Sequence, residues 1–105
     1  MLTYRQAEHL AKAWIEIRTS SRAVLMPEHT ITKLYGWVFY YQSREFVEKR
    51  ERSKMLLGNG PIIIDRVTGD IRSMTSAQRI EDFLSLYESS IPESRMKLTP
   101  EPPTM

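Results

Sequence analysis

The chain has no cysteine. Disulfides, thiolate-bound metals and a thiol nucleophile are thereby excluded, and stability has to come from packing. Long apolar runs are missing too: nothing approaches the ~18 residues that a membrane span needs, and the N-terminus lacks the basic start, apolar middle and small-residue cleavage site of a signal peptide. A cytoplasmic location without membrane contact is the expectation. Charge of one sign is not in surplus either, since 15 basic against 13 acidic residues leave a formal +2, which does not by itself imply nucleic acid. Phosphate-cradling glycines are absent. Gly58-Asn59-Gly60-Pro61 lacks the Lys-Ser/Thr that such a loop carries, and a strand rather than a helix follows it. Nor is there a Ser/His/Asp or paired-carboxylate constellation. His9 stands alone at a helix border, and Glu28-His29 has no nucleophile placed beside it. These absences predict no enzyme, no catalytic residue, no small-molecule substrate, no cofactor and no metal.

What is present is organised around Tyr35-Gly36-Trp37-Val38-Phe39-Tyr40-Tyr41-Gln42, where six of eight residues are aromatic or β-branched. Such side chains suit a pleated, half-buried surface, so the stretch is predicted as the central strand. Alternation puts Tyr35, Trp37, Phe39 and Tyr41 on one face. Before it, Thr3-Tyr4-Arg5-Gln6 reads as a capping box, and Tyr4, Ala7, Leu10, Ala11, Trp14 and Ile17 recur at helical spacing. A first strand is expected from Val24 to Lys33, with Pro27 marking an edge or bulge. After the central strand, Ser43 to Lys54 is charged throughout, with Arg44, Lys49, Arg50, Arg52 and Lys54 against Glu45, Glu48 and Glu51, and is expected as a loop or short helix pinned by Phe46 and Val47. Ile62-Ile63-Ile64 and Ile71 to Met74 form a hairpin whose connection, Arg66 to Asp70, has Gly69 in the left-handed position, with Asp65 and Asp70 flanking it as turn residues. Thr75-Ser76-Ala77-Gln78 repeats the capping box, and Ile80, Phe83, Leu84 and Tyr87 form the stripe of a last helix whose other side is acidic.

The predicted architecture is α+β: a four-stranded, mainly antiparallel sheet with an N-terminal and a C-terminal helix packed on one face. Residues 1–91 would form the single domain, and the Pro-rich 92–105 a disordered or loosely docked tail.

Lys33 to Tyr40 superficially follows the aromatic strand of an RNA-recognition motif, whose rings stack on bases. Leu34 stands where that signature has glycine, and a chain that begins with a helix lacks the second aromatic strand, so no nucleic-acid partner is expected. A closer resemblance lies elsewhere. Gly36-Trp37-Val38-Phe39-Tyr40-Tyr41-Gln42-Ser43 with Phe46, then Leu57 to Asp65, Thr68-Gly69-Asp70-Ile71, and Ile80-Glu81-Asp82-Phe83 leading to Tyr87-Glu88, resembles the immunity protein 35 family, also called the YrhB-like proteins. The likeness spans Gly36 to Glu88, half of the chain. It implies a small bacterial cytoplasmic protein, monomeric or weakly dimeric, that binds and neutralises a cognate toxin encoded beside it. A chaperone-like role, described for some YrhB-like proteins, is the alternative. Candidate contact residues are Arg44, Glu48, Arg50 and Arg52 in the charged excursion, and Glu81, Asp82 and Glu88 on the last helix. Arg50 and Arg52 suit an acidic toxin cleft, whereas the acidic set, with Glu93, suits a basic toxin. The open sheet face is a third candidate surface, and the excursion is expected to contribute most.

Overall fold

The computed structural model describes residues 1–50, 53, 60–74 and 78–103. The first helix, α1 (Tyr4–Thr19), opens as its capping box predicts: the Gln6 amide donates to the Thr3 hydroxyl at 3.2 Å and the Thr3 amide donates to Gln6 Oε1 at 3.0 Å. Its buried positions are Tyr4, Ala7, Ala11 and Ile15. Leu10 and Ile17, expected in that stripe, are 38% and 77% exposed. At about 100° per residue, Ile17 lies roughly 120° round the axis from Ala11, and Ile15 takes its place. Two consecutive left-handed residues, Ser20 and Ser21, then turn the chain, and the Thr19 hydroxyl accepts from the Ala23 amide at 3.1 Å.

The predicted first strand is broken in two. β1 (Ala23–Leu25) stops at Pro27, which has no amide to give a ladder and instead begins a single 3-10 turn, Pro27–His29; β2 (Ile31–Lys33) resumes beyond it. The central strand divides likewise into β3 (Gly36–Phe39) and β4 (Tyr41–Ser43). β4 pairs with β1, while β3 joins β2, β5 (Ile62–Asp65) and β6 (Ile71–Ser73) in a four-stranded sheet of order β2-β3-β5-β6. Every pairing is antiparallel, as the hairpin signals imply. Gly69, with φ of 78°, supplies the left-handed residue of the β5–β6 connection.

The two longer helices lie on opposite faces of this sheet, which corrects the expectation that both would cover one face. Trp37 and Phe39 with Ile62 and Ile64 pack under α1. Val38 and Ile63 point the other way and meet Phe83 of α3 (Ile80–Ser89), flanked by Ile80, Leu84 and Tyr87. The reason is in β5. Three consecutive isoleucines put apolar side chains on both faces, and each face needs a cover. The sheet face expected to be open is therefore occupied. Tyr35 also departs from the expected alternation: it stacks on Tyr87 with ring centroids 5.4 Å apart, because Gly36, at φ 155°, interrupts the strand geometry between Tyr35 and Trp37.

Ser43 caps a short helix, α2 (Arg44–Lys49), by accepting from the Phe46 amide at 3.0 Å. Of the second expected capping box, Thr75 to Gln78, the first three residues lie outside the described residues, as does Arg52. α3 itself begins after Arg79 without a side-chain cap.

The Pro-rich segment, expected as disordered or loosely docked, follows the body of the protein as far as it is described. A 3-10 stretch, Glu93–Lys97, brings Arg95 onto Asp65. Farther on, Arg66 donates to the Thr99 carbonyl at 2.5 Å and Trp37 Nε1 to the Glu101 carbonyl at 2.7 Å. Trp37 is fully buried, so the tail closes over its polar edge. Deleting residues 98–105 is expected to cost about 1–3 kcal/mol, since Trp37 loses the Glu101 carbonyl and Arg66 the Thr99 carbonyl, keeping only the longer bond to Leu34. In a Trp14→Phe background the Trp37 emission should shift to the red. An unshifted spectrum would show that the tail does not shield this ring in solution.

Candidate partner-binding surface

α2 stands beside β1 and β4, at the end of the fold where α1 terminates. The Arg44 amide donates to the Arg22 carbonyl at 2.8 Å, and its guanidinium reaches the Ser21 carbonyl at 3.4 Å. Arg44 also pairs with Glu48 one turn later, at 3.1 Å, a solvent-exposed pair that contributes little to stability. Arg50 ends α2 in the left-handed conformation, at φ 57°. Arg18, Arg22, Lys49 and Arg50 are exposed at this end and have no ion-pair partner among the described residues. Arg18 lies over the Trp14 ring, 5.3 Å from its centroid, which holds one cation in place without neutralising it.

Between α1 and β1 runs a cleft of about 500 Å³. Ile15, Ala23 and Leu25 form its apolar floor, and Lys12, Glu16 and Arg44 its charged rim. A neighbouring hollow of about 650 Å³ shares Pro27 with it and is bordered by Arg5, His9 and Pro103. An apolar floor with a charged rim is how protein interfaces are built, and the cleft is wide enough for an anchoring side chain.

The acidic candidates sit on α3, across the sheet from α1. Glu81 and Asp82 are exposed in its first turn, and Asp82 is bridged to Arg79 at 3.2 Å. Glu88 is internally engaged: it accepts from the Tyr35 hydroxyl at 2.8 Å and lies 3.7 Å from Lys33 Nζ. The structure thus brings Arg44 and Glu48 together, places Arg50 at the end of the same helix with no ion-pair partner among the described residues, and separates this group from the α3 carboxylates.

Sequence reasoning missed a second polar centre. Asp65, read as a turn residue, is 0% exposed. Its Oδ1 accepts from the Val67 and Thr68 amides at 2.8 and 3.0 Å, which fixes the turn, and its carboxylate also takes the Tyr87 hydroxyl and Arg95. Burial alone would push this carboxyl up, but the Tyr87 hydroxyl, the Thr68 amide, Arg95 and the Val67 amide together hold it below the usual range. The one signal available was a carboxylate closing an all-isoleucine strand. Of the rings in the RNA-like signature, Tyr35, Trp37 and Phe39 are buried and offer bases no stacking platform.

These features belong to a small α+β domain. Over residues 5–88 the sequence matches immunity protein 35, and the chain belongs to that family. It is also 35% identical over 88 residues to the uncharacterized protein YrhB of Escherichia coli (strain K12), covering 84% of this chain and 90% of that protein. No solved structure matches the chain. No helix among the described residues is long and apolar enough to cross a membrane.

Proposed function

We propose that this protein is an immunity protein that binds a cognate toxin domain and occludes its active site, acting in the bacterial cytoplasm without catalysis of its own. Family membership supports the binding role. The observation that carries the contact surface is the position of Arg44, which rims the α1–β1 cleft while leading the charged helix α2. A toxin presenting an acidic rim and one apolar anchor would meet both features at once. Arg18, Arg22 and Arg50, exposed near the ends of α1 and α2, would draw such a partner in over long range.

Reversing two of these charges, Arg44→Glu with Arg50→Glu, tests the assignment against the toxin encoded beside the gene. The association rate at low salt should fall about tenfold or more, with the inhibition of toxin activity weakened in step. Both residues are exposed, so the thermal midpoint should move little. Unchanged association by the folded variant would move the contact away from this surface, and failure of the wild-type protein to protect against that toxin would sink the immunity reading.

A further inference from the structure

β6 is the last strand of the four-stranded sheet, and its hydrogen-bonding pattern shows which groups are spare. The Asp65 amide donates to the Asp70 carbonyl and the Met74 amide to the Pro61 carbonyl, both at 3.0 Å, with Ile63 opposite Arg72 between them. In an antiparallel ladder this phase turns the backbone of Arg72 toward β5 and the N–H and C=O groups of Ile71 and Ser73 outward. No described residue bonds to those outward groups. Side chains alternate accordingly. Ile71 packs with the α1 core, whereas Arg72 lines an open groove of about 400 Å³ on the α3 side, together with Phe83, Leu86 and Tyr87. Phe83 is its floor, at 7% exposure, and Leu86 is 66% exposed. Arg72 is exposed and has no ion-pair partner among the described residues.

The charge at the centre of this edge selects its occupant. A second copy of the chain paired antiparallel about Arg72 would set two arginines directly opposite each other, in the non-hydrogen-bonded position where side chains approach most closely. Self-pairing is therefore disfavoured. A carboxylate in the same position would instead meet the guanidinium, and an apolar residue two positions along would fall against Leu86 over Phe83. We propose that the outer edge of β6, unpaired among the described residues, and the groove beside it bind an extended segment of a protein partner by strand addition, with an acidic residue opposite Arg72 and an apolar residue in the groove. This surface lies apart from α2, and the proposal stands whether or not the toxin docks there.

The test uses the full-length protein and two blocked synthetic peptides, alternating valine and threonine, with glutamate at the centre of one and lysine at the centre of the other. The glutamate peptide should slow hydrogen exchange at the Ile71 and Ser73 amides about tenfold, and should bind at least about fivefold more tightly than the lysine peptide. Arg72→Glu, an exposed change, should reverse that preference. Ser73→Pro removes one outward donor without touching the β5 ladder and should abolish protection. Three results would overturn the proposal: no protection of these amides at millimolar peptide, equal affinity for both peptides, or a dimer in sedimentation whose formation protects the same amides.

Discussion

Asp65→Asn is expected to lower stability by about 3 kcal/mol, a large part of the ~5–15 kcal/mol that holds a domain of this size together. Asparagine keeps the shape, and its carbonyl oxygen can still accept from the Val67 and Thr68 amides. Its NH₂ group, however, then faces Tyr87 and Arg95. The tyrosine hydroxyl can rotate to accept, but a guanidinium has only donors. Arg95 keeps a share of the carbonyl oxygen but loses its second acceptor and the opposing charge, and its Nε has no hydrogen-bond partner among the described residues. The cost stays near the low end for a broken buried pair because the Arg95 side chain is 21% exposed and regains some water. Urea midpoints would show this, as would a fall in melting temperature of roughly 15 °C.

The pH dependence separates this role from simple packing. Asp65 titrates below its unfolded value, so its contribution is fully present above about pH 4 and is lost as pH falls through the lower, folded value. The wild-type protein should lose stability steeply in that acid window, and Asp65→Asn should flatten the loss. Tyr35 and Tyr87 act at the other end. Burial, and then the carboxylates of Glu88 and Asp65 beside them, push both phenols above the ordinary tyrosine range, so their contribution is present below about pH 10 and is lost as pH rises further. An asparagine variant with an unaltered acid limb would show that Asp65 is not the titrating group.

Local chemistry made part of this fold legible. The Thr3–Gln6 box and the Gly69 turn each act within a few residues and left their mark in the order of side chains; Pro27 marked an irregularity, read as an edge or bulge where the strand in fact breaks. Opposed helices were also written in the chain, in Ile62-Ile63-Ile64, where a strand with one open face would alternate. The tail contacts were not. Arg95 finds Asp65 thirty residues away, and nothing in the spacing of either residue announces the meeting. The candidate surface divides in the same way. Arg44 and Glu48 could be paired from their spacing on a helix, but Lys12 and Glu16 join Arg44 around one cleft only because α1 packs on β1. Glu88 looked like one more surface charge until Tyr35, displaced at Gly36, reached its carboxylate.

Gly36 carries the second large prediction, since Gly36→Ala should cost more than about 4 kcal/mol and leave little cooperatively folded protein at 25 °C. A Cβ at this position would stand 2.0 Å from the Ile64 carbonyl oxygen and 3.1 Å from the Arg66 amide nitrogen, backbone atoms of β5 and of the residue that follows it. Neither can move without parting β3 from β5, the pairing at the centre of the sheet. The backbone is also at φ 155°, where L side chains are rarely found. Gly69→Ala separates the two causes. Gly69 has a positive φ of 78° but nothing within 4 Å of its would-be Cβ, so only conformational strain is introduced, at about 1–2 kcal/mol. Denaturant midpoints of the two variants, measured side by side, then report contact against conformation. Equal losses would mean that β3 and β5 yield to admit a methyl group; a much larger loss at Gly36 ties the start of the aromatic strand to the closeness of its neighbour, and with it the placement of Tyr35 on Tyr87 and Glu88.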